Sequence, residues 1–150
     1  CKNILDIGSG NGKFCLIGSH LISSNFTGVE LREILVVLAK EVALRTNSNP
    51  VFINDDIKNI DFSDYDGFFF YNSFAEHISI KNRFTPIDDK MTNSDDKYEF
   101  YQTVLNQKLQ NTKIGTLFVT HNNEGLFMPD NFELQEMTND NELGLWRKIK

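Results

Sequence analysis

Ile4-Leu5-Asp6-Ile7-Gly8-Ser9-Gly10-Asn11-Gly12-Lys13 is the stretch on which the fold turns. A short apolar run meets glycines at once, which reads as a buried strand entering a tight turn. From Lys13 to about Ser23, the spacing of Phe14, Leu16, Ile17 and Leu21 then fits a helix packed on a sheet. Strand, glycine turn and helix together make a mononucleotide-binding geometry. Glycine tolerates positive φ and lets backbone approach a ligand closely, and free N–H groups at a helix start favour a carboxylate or phosphate. Such turns also occur without ligands, so the loop alone leaves both readings open.

The rest of the chain repeats this unit. Phe26 to Glu30 reads as a second strand with a carboxylate at its carboxyl end. Leu31 to about Thr46 places Leu31, Ile34, Leu35, Leu38 and Val42 at helical spacing. Pro50 ends that helix, and Val51-Phe52-Ile53 forms a third strand. Gly67 to Tyr71 is a fourth, and its unbroken apolar run suits a central parallel strand covered on both faces. Ile80 to Asp96 turns polar and irregular, the expected mobile loop. Helical periodicity returns from Tyr98 to about Gln110, and Leu117 to Thr120 is a fifth strand. Gly125 and Pro129 predict a loop or one turn from Thr120 to Phe132. Phe132–Met137 and Leu143–Ile149 flank the turn formers Asn139-Asp140-Asn141, so they pair as an antiparallel hairpin. The expected fold is α/β: a Rossmann-like, doubly wound, mostly parallel sheet closed by a C-terminal antiparallel hairpin.

At 150 residues the chain has room for one compact core. It opens on Cys1-Lys2-Asn3 with no initiator Met, so the expectation is a single core domain, 1–150, lacking its N-terminal part. A net charge of −6 gives no electrostatic footprint for nucleic acid. No apolar run approaches the roughly 20 residues that span a bilayer. Two cysteines, with no CxxC and no His cluster, argue against a disulfide framework or a zinc site and for a cytoplasmic setting.

The spacing of the glycines narrows the ligand. A dinucleotide fingerprint is G-x-G-x-x-G, whereas Gly12 comes one residue too early for it, and no Walker lysine-hydroxyl pair follows. Instead Asp6 stands two residues before Gly8. Asp6, Gly8, Gly10 and Gly12 match the first motif of the class I S-adenosylmethionine-dependent methyltransferases, acidic-x-G-x-G-x-G, and the chain resembles that family from Asp6 to the terminal hairpin. The resemblance implies S-adenosylmethionine as cofactor. It places the methionine end at Asp6 and Gly8-Ser9-Gly10, with Gly12 also counted in the cofactor-binding loop, the ribose at Glu30 beside Leu31, and the adenine at Asp56-Ile57, with Asp55 adjoining. A carboxylate suits the ribose because it accepts two hydrogen bonds from a cis-diol. For Glu30 taken alone, a helix-start charge is the competing role.

The fourth strand runs into Tyr71-Asn72-Ser73-Phe74, which looks like the Asn-Pro-Pro-Tyr motif of amino-methylating members and, more loosely, like a stretch of Dot1-type lysine methyltransferases. The resemblance implies that Tyr71, Asn72 and Phe74 face the methyl acceptor: Asn72 would orient an amine, and the aromatics would stabilise the cationic sulfonium. Ser73 departs from the motif. The competing reading makes Tyr71 and Phe74 core and Asn72 a turn residue. A small molecule or protein side chain is favoured as acceptor over nucleic acid. His77 and His121 could take a proton, His20 reads as surface, and the pairs Asp88-Asp89 and Asp95-Asp96 read as solvated charges without calcium-loop spacing. No metal is expected. A Rossmann-type NAD-dependent oxidoreductase and a non-catalytic cofactor-binding scaffold are the alternatives.

Overall fold

The unbroken apolar run from Gly67 to Tyr71 becomes the strand in the middle of the sheet, as its pattern predicts. In the computed structural model, which describes residues 1–74, 95–122 and 126–150, seven strands form one sheet in the order β3-β2-β1-β4-β5-β7-β6. The strands β1 (Asn3–Ile7), β2 (Asn25–Glu30), β3 (Val51–Asn54), β4 (Gly67–Tyr71) and β5 (Leu117–His121) are mutually parallel. The terminal hairpin forms as expected, from β6 (Phe132–Met137) and β7 (Leu143–Lys148), with an irregularity between Leu134 and Glu136. Its second strand inserts antiparallel beside β5, so β6 takes the sheet's outer edge. The α/β class and the mostly parallel sheet are as the sequence predicts.

Strand alternation divides the apolar residues between two cores. Leu5, Ile7, Val29, Phe68, Phe70 and Phe118 point to the face covered by Leu105 and Leu109 of α3 (Asp95–Gln110) and by the turns at Ile57–Asn59 and Phe62–Asp64. Phe26 and Phe52 point to the opposite face, against Cys15 of α1 (Lys13–Leu21) and Val36, Ala39 and Ala43 of α2 (Glu33–Thr46). The triple Phe68-Phe69-Phe70 makes sense on this scheme. Its outer members enter the first core, while Phe69 stacks on Phe14 of α1 with centroids 3.9 Å apart and planes at 9°.

Two helix starts and one connection differ from the reading above in ways that bear on the site. The helix after β4 starts at Asp95 rather than Tyr98, so Asp95-Asp96 opens a helix instead of ending a loop; carboxylates are favoured in a first turn. The second helix starts at Glu33 rather than Leu31, because Arg32 stays extended with its amide bonded to Glu30. The link from β3 to β4 folds into two 3-10 turns, each begun by an aspartate that accepts an amide two residues on, Asp56 from Lys58 and Asp61 from Ser63. Most of the loop expected from Ile80 to Asp96, with His77 and Asp88-Asp89, lies outside the described residues, as does Gly125.

The winding sets the position of the site. From β1 the chain passes through α1 to β2 on one side, and later comes back to β4 on the other. The carboxyl ends of β1 and β4 therefore flank the point where strand order reverses, where open α/β sheets leave a ligand crevice. No described helix is long and apolar enough to cross a membrane.

Candidate functional site

The glycine loop is built from positive φ angles, 69° at Gly8 and 77° at Gly12, that only glycine adopts freely. Close packing requires both residues as well. A Cβ on Gly8 would lie 2.5 Å from Ser73 Cβ, and one on Gly12 would lie 2.5 Å from the Phe52 ring. Gly12 thus seats the start of α1 against β3 and α2 and lies away from the crevice. The loop amides are also committed. Gly8 N and Ser9 N donate to the Val29 carbonyl at 2.9 Å, Gly12 N to Ser9 O at 2.8 Å, and Gly10 N to Glu30 Oε2 at 3.0 Å. The expectation of free anion-binding N–H groups fails at these four positions. The loop acts as a shaped surface, tied to the end of β4 by a hydrogen bond from the Ser73 hydroxyl to the Ile7 carbonyl.

Above it, Gly8, Glu30, Leu31, Asp56, Ile57, Asn72 and Phe74 line a cleft of about 260 Å³. Glu30, at the carboxyl end of β2, is 5% exposed and carries the densest bonding of the site. Its Oε1 accepts from Arg32 N and Arg32 Nε, both at 2.9 Å. Its Oε2 accepts from Gly10 N and, at 3.2 Å, from Arg32 Nη2. The two acidic residues after β3 separate by role. Asp55 closes its own turn, accepting from Asp56 N and Asn59 Nδ2 at 2.7 Å, and those bonds hold its carboxyl below the usual carboxylate range. Asp56 receives the Tyr101 hydroxyl at 2.9 Å and pairs with Lys58 Nζ at 3.2 Å. Burial and then the Asp56 hydrogen bond push the Tyr101 phenol up to about 12, so it stays a donor. Ile57, in the core, supplies a flat apolar wall.

Asp6 lies apart from that cleft. With Gly8, Ser9, Gly10, Phe14, Phe69 and Tyr71 it lines an adjoining, largely apolar groove of about 480 Å³ that meets the cleft at Gly8 and Tyr71. Burial, with a smaller contribution from the Glu30 charge, pushes the Asp6 carboxyl up to about 7 against the lowering effect of the Cys15 thiol hydrogen bond. Ser9 Oγ is buried with no hydrogen-bond partner among the described residues.

At the other lip, Asn72 adopts a left-handed φ of 46° directly after β4. Tyr71 is 54% exposed and stacks on His121 of β5 at 4.6 Å. The His121 Nε2 atom lies 3.7 Å from Glu142 Oε2. Phe74 belongs to the core, edge-on to Phe70 at 5.0 Å and stacked on Tyr101 at 5.4 Å, while its ring also borders the cleft. His20 is exposed, as expected. No group of three or more metal-ligating residues occurs among the described residues. Two lining residues escaped the sequence reading. Tyr101 falls at an apolar position of the third helical stretch, and the polar tip of its phenol is the one sign of a bonding role. Arg32 falls among the charged positions of the second helical stretch, and its place two residues after Glu30 is the one local sign of an ion pair.

The family profile described as a methyltransferase domain matches residues 4–87, more than half of the chain. The chain belongs to that family. Solved structures agree on the fold. An RNA methyltransferase from Salinibacter ruber, crystallised with S-adenosyl-L-homocysteine, aligns over 99% of this chain and 80% of its own with a TM-score of 0.65 at 17% identity. TrmN from Thermus thermophilus aligns over 99% of this chain and 44% of its own, with a TM-score of 0.67 and 17% identity. The plantazolicin methyltransferase BpumL, solved with a desmethyl analogue and S-adenosylhomocysteine, aligns over 79% of this chain and 38% of its own, with a TM-score of 0.53 and 21% identity. No curated protein sequence matches. Family and fold together make this a methyltransferase domain on a Rossmann-like α/β sheet, which sets the nicotinamide reading aside.

Proposed function

We propose that this methyltransferase holds the adenosine part of its cofactor in the cleft between Glu30 and Asp56, holds the methionine part in the groove beside Asp6 and Ser9, and presents an amine acceptor to Asn72 and Tyr71. The observation that carries this reading is the buried Glu30 carboxylate at the carboxyl end of β2, bordering the cleft and bonded to the loop amide of Gly10.

The donor and acceptor chemistry of the cleft fits the group. A nucleoside needs an acceptor for its diol, an apolar slot and an acceptor for its exocyclic amine; Glu30, then Leu31 with Ile57, then Asp56 match those needs in order. Two cavities that join at Gly8 suit a ligand with two ends. Ser9 Oγ, buried without a partner, is an orphan that a ligand in the groove could satisfy. S-adenosylmethionine supplies, when bound, a methyl group on a positively charged sulfur. The work left to the chain is alignment and the exclusion of water. Asn72 is suited to orient an amine through its amide oxygen, and the exposed Tyr71 face to receive cationic groups. The net charge of −6 favours a small molecule or protein side chain over a polyanion as acceptor.

Calorimetric titration with S-adenosylmethionine, S-adenosylhomocysteine and NAD tests the cofactor assignment. Saturable binding of both adenosyl ligands and none of NAD is expected, and tight NAD binding without response to the others would sink it. Turnover over amine, hydroxyl and carboxylate acceptors then tests the acceptor class, where methylation restricted to hydroxyls would remove Asn72 from its role.

A further inference from the structure

A carboxylate offers about four lone-pair positions, and the chain itself occupies all four on Glu30. Two are held by backbone amides, Gly10 N on Oε2 and Arg32 N on Oε1. These bonds close the glycine loop and start α2, so they stay in place as long as both elements do. The other two are held by one side chain, the Arg32 guanidinium, whose Nε and Nη2 take one position on each oxygen. A ribose cis-diol donating to both oxygens of Glu30 asks for those same two positions. The guanidinium is itself only about 10% exposed and borders the cleft with Glu30 and Leu31.

We infer that Arg32 is a built-in competitor of the ribose: its fork stands where a cis-diol would bond, and a nucleoside binds by displacing it from Glu30. This inference rests on the assignment of the nucleoside end to Glu30. Three consequences follow from the geometry. The ligand-free chain keeps its buried carboxylate paired, avoiding the cost of an uncompensated charge. Affinity for diol-bearing ligands is held below what Glu30 alone would give. And Arg32 makes ribose binding a choice between two states of one side chain, so it tunes affinity with no contact to the reacting atoms.

The test compares wild type with Arg32→Gln and Arg32→Lys by calorimetry, using S-adenosylhomocysteine, adenosine and 2′,3′-dideoxyadenosine. Arg32→Gln should bind the two diol-bearing ligands about tenfold more tightly while its affinity for dideoxyadenosine stays level. Arg32→Lys, which keeps the charge but cannot fork, should fall between. Should Arg32→Gln fail to fold, the wild-type protein still decides the matter, because the Arg32 Nε–H resonance should shift on saturation with S-adenosylhomocysteine. A folded Arg32→Gln that binds adenosine no better than wild type, or an Nε–H resonance unmoved at saturation, overturns the inference and leaves the cofactor assignment standing. Failure of wild type to bind S-adenosylhomocysteine overturns the assignment, and the inference with it.

Discussion

The carboxyl ends of β2 and β3 and that of β4, where His121 of β5 stacks on Tyr71, face one another across the crevice but are built on opposite plans. On the first side the polar groups are paired: the buried Glu30 with two amides and a guanidinium, the half-buried Asp56 with a phenol and an ammonium. On the second, Tyr71 and Asn72 are exposed, and His121 faces Glu142 across 3.7 Å, which is outside hydrogen-bonding range. A prepaired site holds its acceptor atoms in place before a constant ligand arrives. An open lip takes its shape from whatever acceptor approaches it. Under the proposed function, the contrast separates a half that would hold the shared cofactor from a half that would meet a particular substrate.

Removing Glu30 should break the first plan most severely. Glu30→Ala takes the carboxylate away from the buried Arg32 guanidinium, and breaking a buried pair from one side costs about 3–5 kcal/mol. Urea unfolding should show that loss. The milder Glu30→Gln should weaken S-adenosylhomocysteine binding by about 100-fold, roughly 2.7 kcal/mol. A change of less than threefold would place the nucleoside elsewhere.

Asp6 gives the next largest effect, through pH. Its folded carboxyl titrates near 7 against 3.8 for the ordinary value, so between those values the folded chain holds a proton that the unfolded chain has released. Stability from this group is therefore greatest below about pH 4. It falls as pH rises and is fully lost above 7, a decline on the order of a few kcal/mol. Unfolding measured from pH 4 to 8 should show Asp6→Asn lacking that decline. If Asp6 also receives the methionine ammonium, wild-type affinity for S-adenosylhomocysteine should rise through pH 7, and the variant's should not.

The legibility of the molecule follows the same divide. The strand-glycine-helix unit was readable because local rules converge there: an apolar run, glycines that need positive φ, and a helix period. Glu30 and Asp56 stood at strand ends, where spacing along the chain translates directly into place. Arg32 and Tyr101 were not readable in that way. Arg32 looked like a solvent-face charge until the extended backbone at the start of α2 turned it toward Glu30. Tyr101 meets Asp56 across 45 residues of sequence, a contact that only the packing of α3 on the sheet creates. The committed amides of the glycine loop were hidden for the same reason, since their main acceptor is the Val29 carbonyl on the neighbouring strand.

Tyr101→Phe should have a smaller effect, because Asp56 keeps Lys58 and its turn amide. Loss of one hydrogen bond to a carboxylate costs about 1.5 kcal/mol, so S-adenosylhomocysteine binding should weaken by about tenfold at most. The informative control is a nucleoside without the exocyclic amine, such as purine riboside. If the phenol aims Asp56 at that amine, the substitution should leave purine riboside affinity unchanged, whereas a general loss of packing at Phe74 would weaken both ligands alike.

The smallest expected change is also the sharpest test of the contrast. Tyr71→Phe and His121→Gln alter only the open lip, and neither residue bonds to Glu30 or Asp56. Binding of S-adenosylhomocysteine should stay within about twofold of wild type in both, since exposed substitutions away from buried pairs change free energies by roughly 0.5 kcal/mol or less. Turnover of an amine acceptor should respond more, because both rings sit on adjacent strand ends, where the proposed function places the acceptor. If instead His121→Gln weakened cofactor binding as much as Glu30→Gln, the two ends of the crevice would be one thermodynamic unit. The division into a prepaired cofactor half and an open acceptor half would then fail.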